Sequence, residues 1–217
     1  MSHQVNLPAR QAFPAKNRTV VIFDLGGVLI EWSPQRLYAP YFNSNAAIDQ
    51  FLREINFPTW NAQQDAGRSF RDGVAELSAQ FPHYADLIRV YHERWEDSVP
   101  GPIAGTLKLL KQLKEAGHPL YALTNFSAET FPLMRQRFDF LKLFKYILVS
   151  GEVGLIKPDP AIYHLMLQKI GQPPGDCLFI DDSAANISTA QQLGFDTIQF
   201  KSPAALEEEL RDRKLLV

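Results

Sequence analysis

Four stretches of the chain end an apolar run in side chains able to do polar chemistry: "VVIFDLGGVLIEW" at 20–32, "ALTN" at 122–125, "GLIKPDP" at 154–160 and "FIDDSAAN" at 179–186. Asp24 is a carboxylate at a strand end, positioned to attack phosphorus and form an aspartyl-phosphate. Glycines follow it, so the backbone is free to curl and aim the N–H groups of Leu25 and Gly26 at phosphate oxygens. Thr124 offers a hydroxyl donor, Asn125 a backbone donor and Lys157 a point charge for a developing anion. Phosphoryl transfer asks a protein for this combination of positioning and positive charge. Asp24, Asp181 and Asp182 together repel one another unless a cation sits among them. An oxygen-only donor set points to Mg²⁺ rather than zinc. Each stretch alone is weak, since strands often end in polar residues; their shared placement carries the reading.

That placement depends on the elements between them. Apolar runs at Thr19–Phe23, Leu120–Leu123, Tyr146–Val149 and Cys177–Ile180, with a weaker one at Thr197–Phe200, fit strands buried on both faces of a parallel sheet. Helices are expected over Ile103–Glu115 before Gly117, over Ala161–Ile170 after the Asp159 cap and Pro160, and over Ala185–Leu193 before Gly194. Strand and helix alternate from residue 103 onward, which predicts an α/β class with a Rossmann-like parallel sheet and ligands at the carboxyl ends of its strands. Residues 34–98 interrupt this alternation and read as helical throughout. Tyr84, Leu87, Ile88, Tyr91 and Trp95 make one apolar stripe, and Ser69 with Asp72 resembles a capping box. The expected division is an extension at 1–18, an α/β core from 19–33 and 99–217, and a helical insert at 34–98.

The chain is 46% hydrophobic and 21% charged, which fits a folded domain rather than disorder. A net charge of -2 and a pI near 6.2 leave no basic field for nucleic acid or for an anionic membrane, so a small molecule is the expected partner. One cysteine, Cys177, excludes an internal disulfide framework and a cysteine-rich metal site, and is expected to be an inert core residue. With no apolar leader in residues 1–18 and no spanning apolar stretch, a cytoplasmic location and a monomer or homodimer are expected. The sequons at Asn17 and Asn186 then read as chance matches.

The order "FDLGGVL", "LTN", "KPDP" and "IDDSAAN", with the insert after the first motif, resembles the haloacid dehalogenase superfamily with a helical cap of the C1 type. "DLGG" resembles a subgroup of bacterial sugar-phosphate phosphatases that includes a glucose-1-phosphate phosphatase. The resemblance implies Mg²⁺ held by Asp24, by the Gly26 carbonyl and by Asp182 ahead of Asp181. It also exposes a departure: most phosphatases of the superfamily carry an acid–base aspartate where this chain has Gly26. Such a group is worth about 10² to 10⁴ in rate. Three readings compete. A good leaving group, as in a sugar 1-phosphate, makes the missing group tolerable; or the enzyme is a 2-haloacid dehalogenase, against which the paired acids argue; or the chain is a non-catalytic module binding a phospholigand.

In the insert, Trp60, Asp65 and Arg68 of "TWNAQQDAGRS" read as a specificity loop between helices, against the plainer readings of a packed Trp60 and a solvated Asp65–Arg68 pair. Glu31 is either a proton relay or a hinge residue, and Trp32 is expected beside it at the junction of core and insert. His83, His92, His118 and His164 show no ligand spacing, and Phe126 and Phe131 are expected to pack.

Overall fold

The computed structural model describes residues 19–216. The expected extension at 1–18, with Asn17, lies outside the described residues. Strand β1 (Val20–Phe23) is followed by five helices, α1 (Pro34–Tyr38), α2 (Asn45–Glu54), α3 (Phe57–Asp65), α4 (Phe70–Gln80) and α5 (Ala85–Glu93). The chain then alternates through α6 (Ala104–Glu115), β2 (Leu120–Thr124), α7 (Phe131–Arg137), β3 (Tyr146–Val149), α8 (Ser150–Val153), α9 (Pro160–Ile170), β4 (Cys177–Asp181), α10 (Ala184–Gln192), β5 (Asp196–Gln199) and α11 (Pro203–Asp212).

The strands form one parallel sheet in the order β3-β2-β1-β4-β5. Their alternation explains the continuous apolar runs. Val21 and Phe23 pack into the core beneath α6, α7 and α11, whereas Val20 and Ile22 pack with Ile162, Tyr163 and Met166 of α9 and Ile187 and Ala190 of α10. With β1 central, the chain leaves it in one direction for β2 and returns on the other side as β4. This switch point opens a crevice beyond the strand ends. Phe23 pairs with Ala122 on one side and Ile180 on the other, so Asp24 emerges level with Asp181, and Thr124 stands one position further along β2.

Local chemistry sets the helix ends. Asp159 accepts from Ala161 N at 2.8 Å and Pro160 opens α9. Ser69 caps α4 by accepting from Asp72 N, but the Asp72 carboxylate receives the Ser69 hydroxyl instead of reaching back to the main chain. The other boundaries move by a residue: α6 starts at Ala104 with Ile103 as its cap, α10 covers Ala184–Gln192, β4 takes in Asp181 and β5 runs from Asp196. Trp95 falls outside α5 because Arg94 leaves helical geometry, and it lies in a 3₁₀ turn.

Helices α1 to α5 share an aromatic core in which Tyr91 meets Phe57 at 4.9 Å and Trp60 at 5.7 Å, and Tyr38 meets Phe51 at 5.0 Å. The expected loop around Trp60 is instead α3, opened by Pro58 and ended by Gly67 at φ 103°. Polar residues obscured it: Gln64 is buried, donating to Trp60 O at 2.6 Å and accepting from Arg68 Nε at 2.6 Å. The Trp60 indole donates to Gly73 O at 2.9 Å. Trp60→Ala is expected to cost about 3–5 kcal/mol in denaturant unfolding, from the cavity and the freed carbonyl. Among the described residues no helix is long and apolar enough to cross a membrane.

Candidate active site

At the carboxyl edge of the sheet a buried lysine joins two acids. Lys157 Nζ lies 2.9 Å from Asp24 Oδ1 and 2.7 Å from Asp181 Oδ2, and donates to Leu123 O at 2.9 Å. All three side chains are nearly inaccessible. Burial pushes the ammonium toward its neutral form, but the two carboxylates outweigh it and hold its pKa above the ordinary lysine value. Burial raises the Asp24 carboxyl to about 7, with Lys157 opposing and Asp181 adding to the rise.

Hydrogen bonds hold this arrangement in place. The Asn125 side chain clamps the main chain of Lys157, donating to its carbonyl at 2.9 Å and accepting from its N–H at 2.8 Å. Asn125 was expected to supply a backbone donor; the structure gives its amide this second task, which fixes where the lysine starts. Leu25 N donates to Asp24 Oδ1 at 2.7 Å, so it orients the carboxylate rather than facing outward. Asp181 is saturated by Lys157, by Ser183 N at 2.8 Å and by Asn186 Nδ2 at 2.9 and 3.1 Å. The Asn186 sequon is thus turned inward, with its amide spent on Asp181.

Carboxylate oxygens of Asp24, Asp181 and Asp182 lie within 4.8 Å of one another. Asp182 is the exposed member, its pKa raised by partial burial and then by Asp181. Gly27, at φ 72°, makes room for it: a Cβ there would stand 2.6 Å from Asp182 Oδ2. Mutual repulsion, hard oxygen donors and one exposed carboxylate fit a divalent cation of the Mg²⁺ kind. Beside them the buried Thr124 Oγ1 has no partner, a cost of about 1–3 kcal/mol that an anionic oxygen at this strand end would remove.

Above this edge a cavity of about 90 Å³ is lined by Gly26 and Asn125 from the sheet side and by Asn61, Asp65, Tyr91 and Trp95 from the helical segment. It shares Trp32, Asn61, Asp65 and Asn125 with a wider cleft of about 820 Å³ that also takes in Lys157 and Asn186. Of Trp60, Asp65 and Arg68, only Asp65 lines these cavities. Trp60 packs inside the helical segment, and Arg68 is tied to Gln64 at 2.6 Å and Glu76 at 2.6 Å rather than to Asp65. Glu31 is exposed and lines neither cavity, whereas Trp32 lines both.

Contacts the sequence did not announce join the helical segment to the sheet. Ser150 Oγ donates to the Asp65 carbonyl at 2.5 Å and accepts from Phe126 N at 2.8 Å, and Glu129 Oε1 accepts from Phe70 N at 3.0 Å. Nothing in the pattern marks Ser150. Asn61 and Asn186 carried usable signals: the first is one helical turn before Asp65, the second lies within "IDDSAAN".

A family model of haloacid dehalogenase-like hydrolases matches residues 19–194. The sesquiterpene phosphatase astK of Aspergillus oryzae is 27% identical over 190 residues, covering 88% of this chain and 93% of that one. The phosphoglycolate phosphatase of Pseudomonas syringae pv. tomato is 24% identical over 201 residues, covering 85% and 70%. Other relatives are much longer, and the chain spans only 18% to 28% of three of them. A magnesium complex of a HAD family enzyme from Bacteroides thetaiotaomicron shares the fold, with a TM-score of 0.69 at 23% identity over 86% of this chain and 95% of that one. With a parallel five-stranded sheet of this order and a match across most of its length, the chain belongs to the haloacid dehalogenase-like hydrolases.

Proposed function

We propose that the protein is a Mg²⁺-dependent phosphatase that hydrolyses small phosphate monoesters through an aspartyl-phosphate on Asp24. The observation that carries this reading is the buried Lys157 bridging Asp24 and Asp181, beside the unpartnered hydroxyl of Thr124. Asp24 attacks phosphorus in line, and the leaving oxygen departs toward the cavity. Lys157 and Thr124 meet the charge on the equatorial oxygens. Mg²⁺, held by Asp24, Asp182 and the Gly26 carbonyl with Asp181 behind them, would offset the repulsion between nucleophile and phosphate. Residues 34–98 serve as the cap over a core of 19–33 and 99–217, and the Ser150 and Glu129 contacts are its latches. The likeness to two phosphatases supports the reaction class.

Sugar 1-phosphates are the first substrate class. Their leaving group departs readily, and Trp32 and Trp95 offer faces for a ring while Asn61, Ser127 and the unpartnered Thr130 hydroxyl offer polar contacts. An apolar alcohol phosphate is the second, favoured by Ile30, Phe70, Val99 and Phe126 in the cavity wall and by the likeness to a sesquiterpene phosphatase. A 2-haloacid substrate fits less well, because its carboxylate would approach Asp182 as a like charge. Phosphate release from sugar 1-phosphates, sugar 6-phosphates and a prenyl phosphate is expected with Mg²⁺ and is expected to vanish in chelator. Halide release that persists in chelator would overturn the reading, as would saturable binding of these esters without turnover.

A further inference from the structure

Two proton transfers are needed for the proposed reaction, one to the leaving oxygen and one from the attacking water. Two residues after Asp24 stands Gly26, and its backbone does not require glycine. Its φ is not positive, and a Cβ built on it meets nothing within 4 Å. The space beside the nucleophile is therefore left open toward the helical segment. Of the residues lining the cavity that Gly26 opens onto, Asp65 is the one carboxyl. Glu31, the other candidate, is exposed and outside it.

We propose that Asp65, carried on the last turn of α3, is the general acid and base of the reaction. In the first step Asp24 forms the O–P bond, the ester P–O bond breaks, and the leaving oxygen takes the proton of the Asp65 carboxyl. In the second, the Asp65 carboxylate takes a proton from water as the water oxygen attacks phosphorus, releasing phosphate and restoring Asp24. This assignment rests on the phosphatase reading and deepens it.

The surroundings of Asp65 suit a proton carrier. Asn61 Nδ2 donates to its Oδ2 at 3.0 Å, and Tyr91 OH donates to Asn61 Oδ1 at 3.0 Å, which fixes the amide with its NH₂ toward the carboxyl. Ser150 holds the Asp65 main chain to the sheet, so the acid stands over the site while the segment is docked. The groups acting on it from neighbouring elements are Lys157 and the Ser127 N–H, which stabilise its anion, and the neutral Tyr91. Burial prevails over the first two and raises the carboxyl to about 7, so both protonation states are populated near neutrality.

The test compares wild type with Asp65→Asn, Gly26→Asp, the double variant and Asp24→Asn on an alkyl phosphate and on p-nitrophenyl phosphate, whose leaving group needs no proton. Asp65→Asn is expected to lose about 10² to 10⁴ in kcat on the alkyl ester. On the aryl ester it is expected to release one equivalent of nitrophenolate per enzyme in a burst, followed by slow turnover, because only dephosphorylation still needs the base. Adding Gly26→Asp to Asp65→Asn is expected to restore at least about tenfold, since the new carboxyl enters open space. Asp65→Asn that turns over the alkyl ester within about threefold of wild type would overturn the proposal. Equal losses on both esters, with no burst and no rescue, would also overturn it and make Asp65 a structural residue. Wild type inert on every ester, or Asp24→Asn as active as wild type, would instead overturn the phosphatase reading.

Discussion

Asp24→Asn is expected to abolish turnover while leaving the fold intact. The amide keeps the shape of the carboxylate and can still accept from Leu25 N, a bond of 2.7 Å in the native protein. It cannot displace an alkoxide from phosphorus, and it removes one of the acids of the proposed cation site. A fall in kcat on the order of 10⁴ to 10⁶ is expected, the scale of losses when one member of a catalytic unit is removed. The lost attraction to Lys157, which keeps Asp181 as its counter-charge and an amide oxygen at position 24 as an acceptor, is offset by the removal of a buried charge that faces Asp181. Its thermal midpoint is therefore expected to stay near that of wild type. A variant with wild-type kcat would exclude Asp24 as the nucleophile; one that fails to fold would make it structural.

Lys157→Met is expected to damage both stability and rate. Its ammonium is the shared partner of two buried carboxylates, at 2.9 and 2.7 Å, and methionine fills the stem without replacing the charge. Breaking a buried pair by removing one partner typically costs about 3–5 kcal/mol, because the remaining charges stay desolvated. The rate is expected to fall by about 10³ or more, the order lost when a cation facing the transferring phosphoryl group is removed. Lys157→Arg is not expected to rescue it, since the planar guanidinium is bulkier than the ammonium that now reaches Asp24, Asp181 and Leu123 O together. Urea unfolding with and without Mg²⁺ checks the assignment: the variant should gain more from the ion than wild type does. Equal gains would show that lysine and metal act on separate acids.

Most of the sheet was legible because β1 to β4 are buried on both faces, which forces near-continuous apolar runs, whereas the edge strand β5 is largely exposed and its run is weaker. The polar residues ending them stood out against that background, and Asp24, Lys157 and Asp181 do meet. Partnerships among those residues were not legible. The Asn125 amide, the Leu25 N–H and the Asn186 side chain turn inward to hold the site, choices set by the register of neighbouring strands rather than by local pattern. The helical segment was legible as helical, yet the pattern of α3 resembles a loop because Gln64 buries a polar face normally solvated. Asp65 and Arg68 have the three-residue spacing of a pair, but the helix ends between them and sends one to the cavity and the other to Glu76.

The most direct test of the central claim is to locate the phosphoryl group during turnover. Wild-type protein with Mg²⁺ and its best ester, labelled at phosphorus, would be quenched in acid within the first turnovers, digested and mapped by mass spectrometry. Label on the carboxyl of Asp24, and none in Asp24→Asn, is the result expected of an aspartyl-phosphate. Full phosphate release with label on another residue, or on none at any quench time, would contradict it.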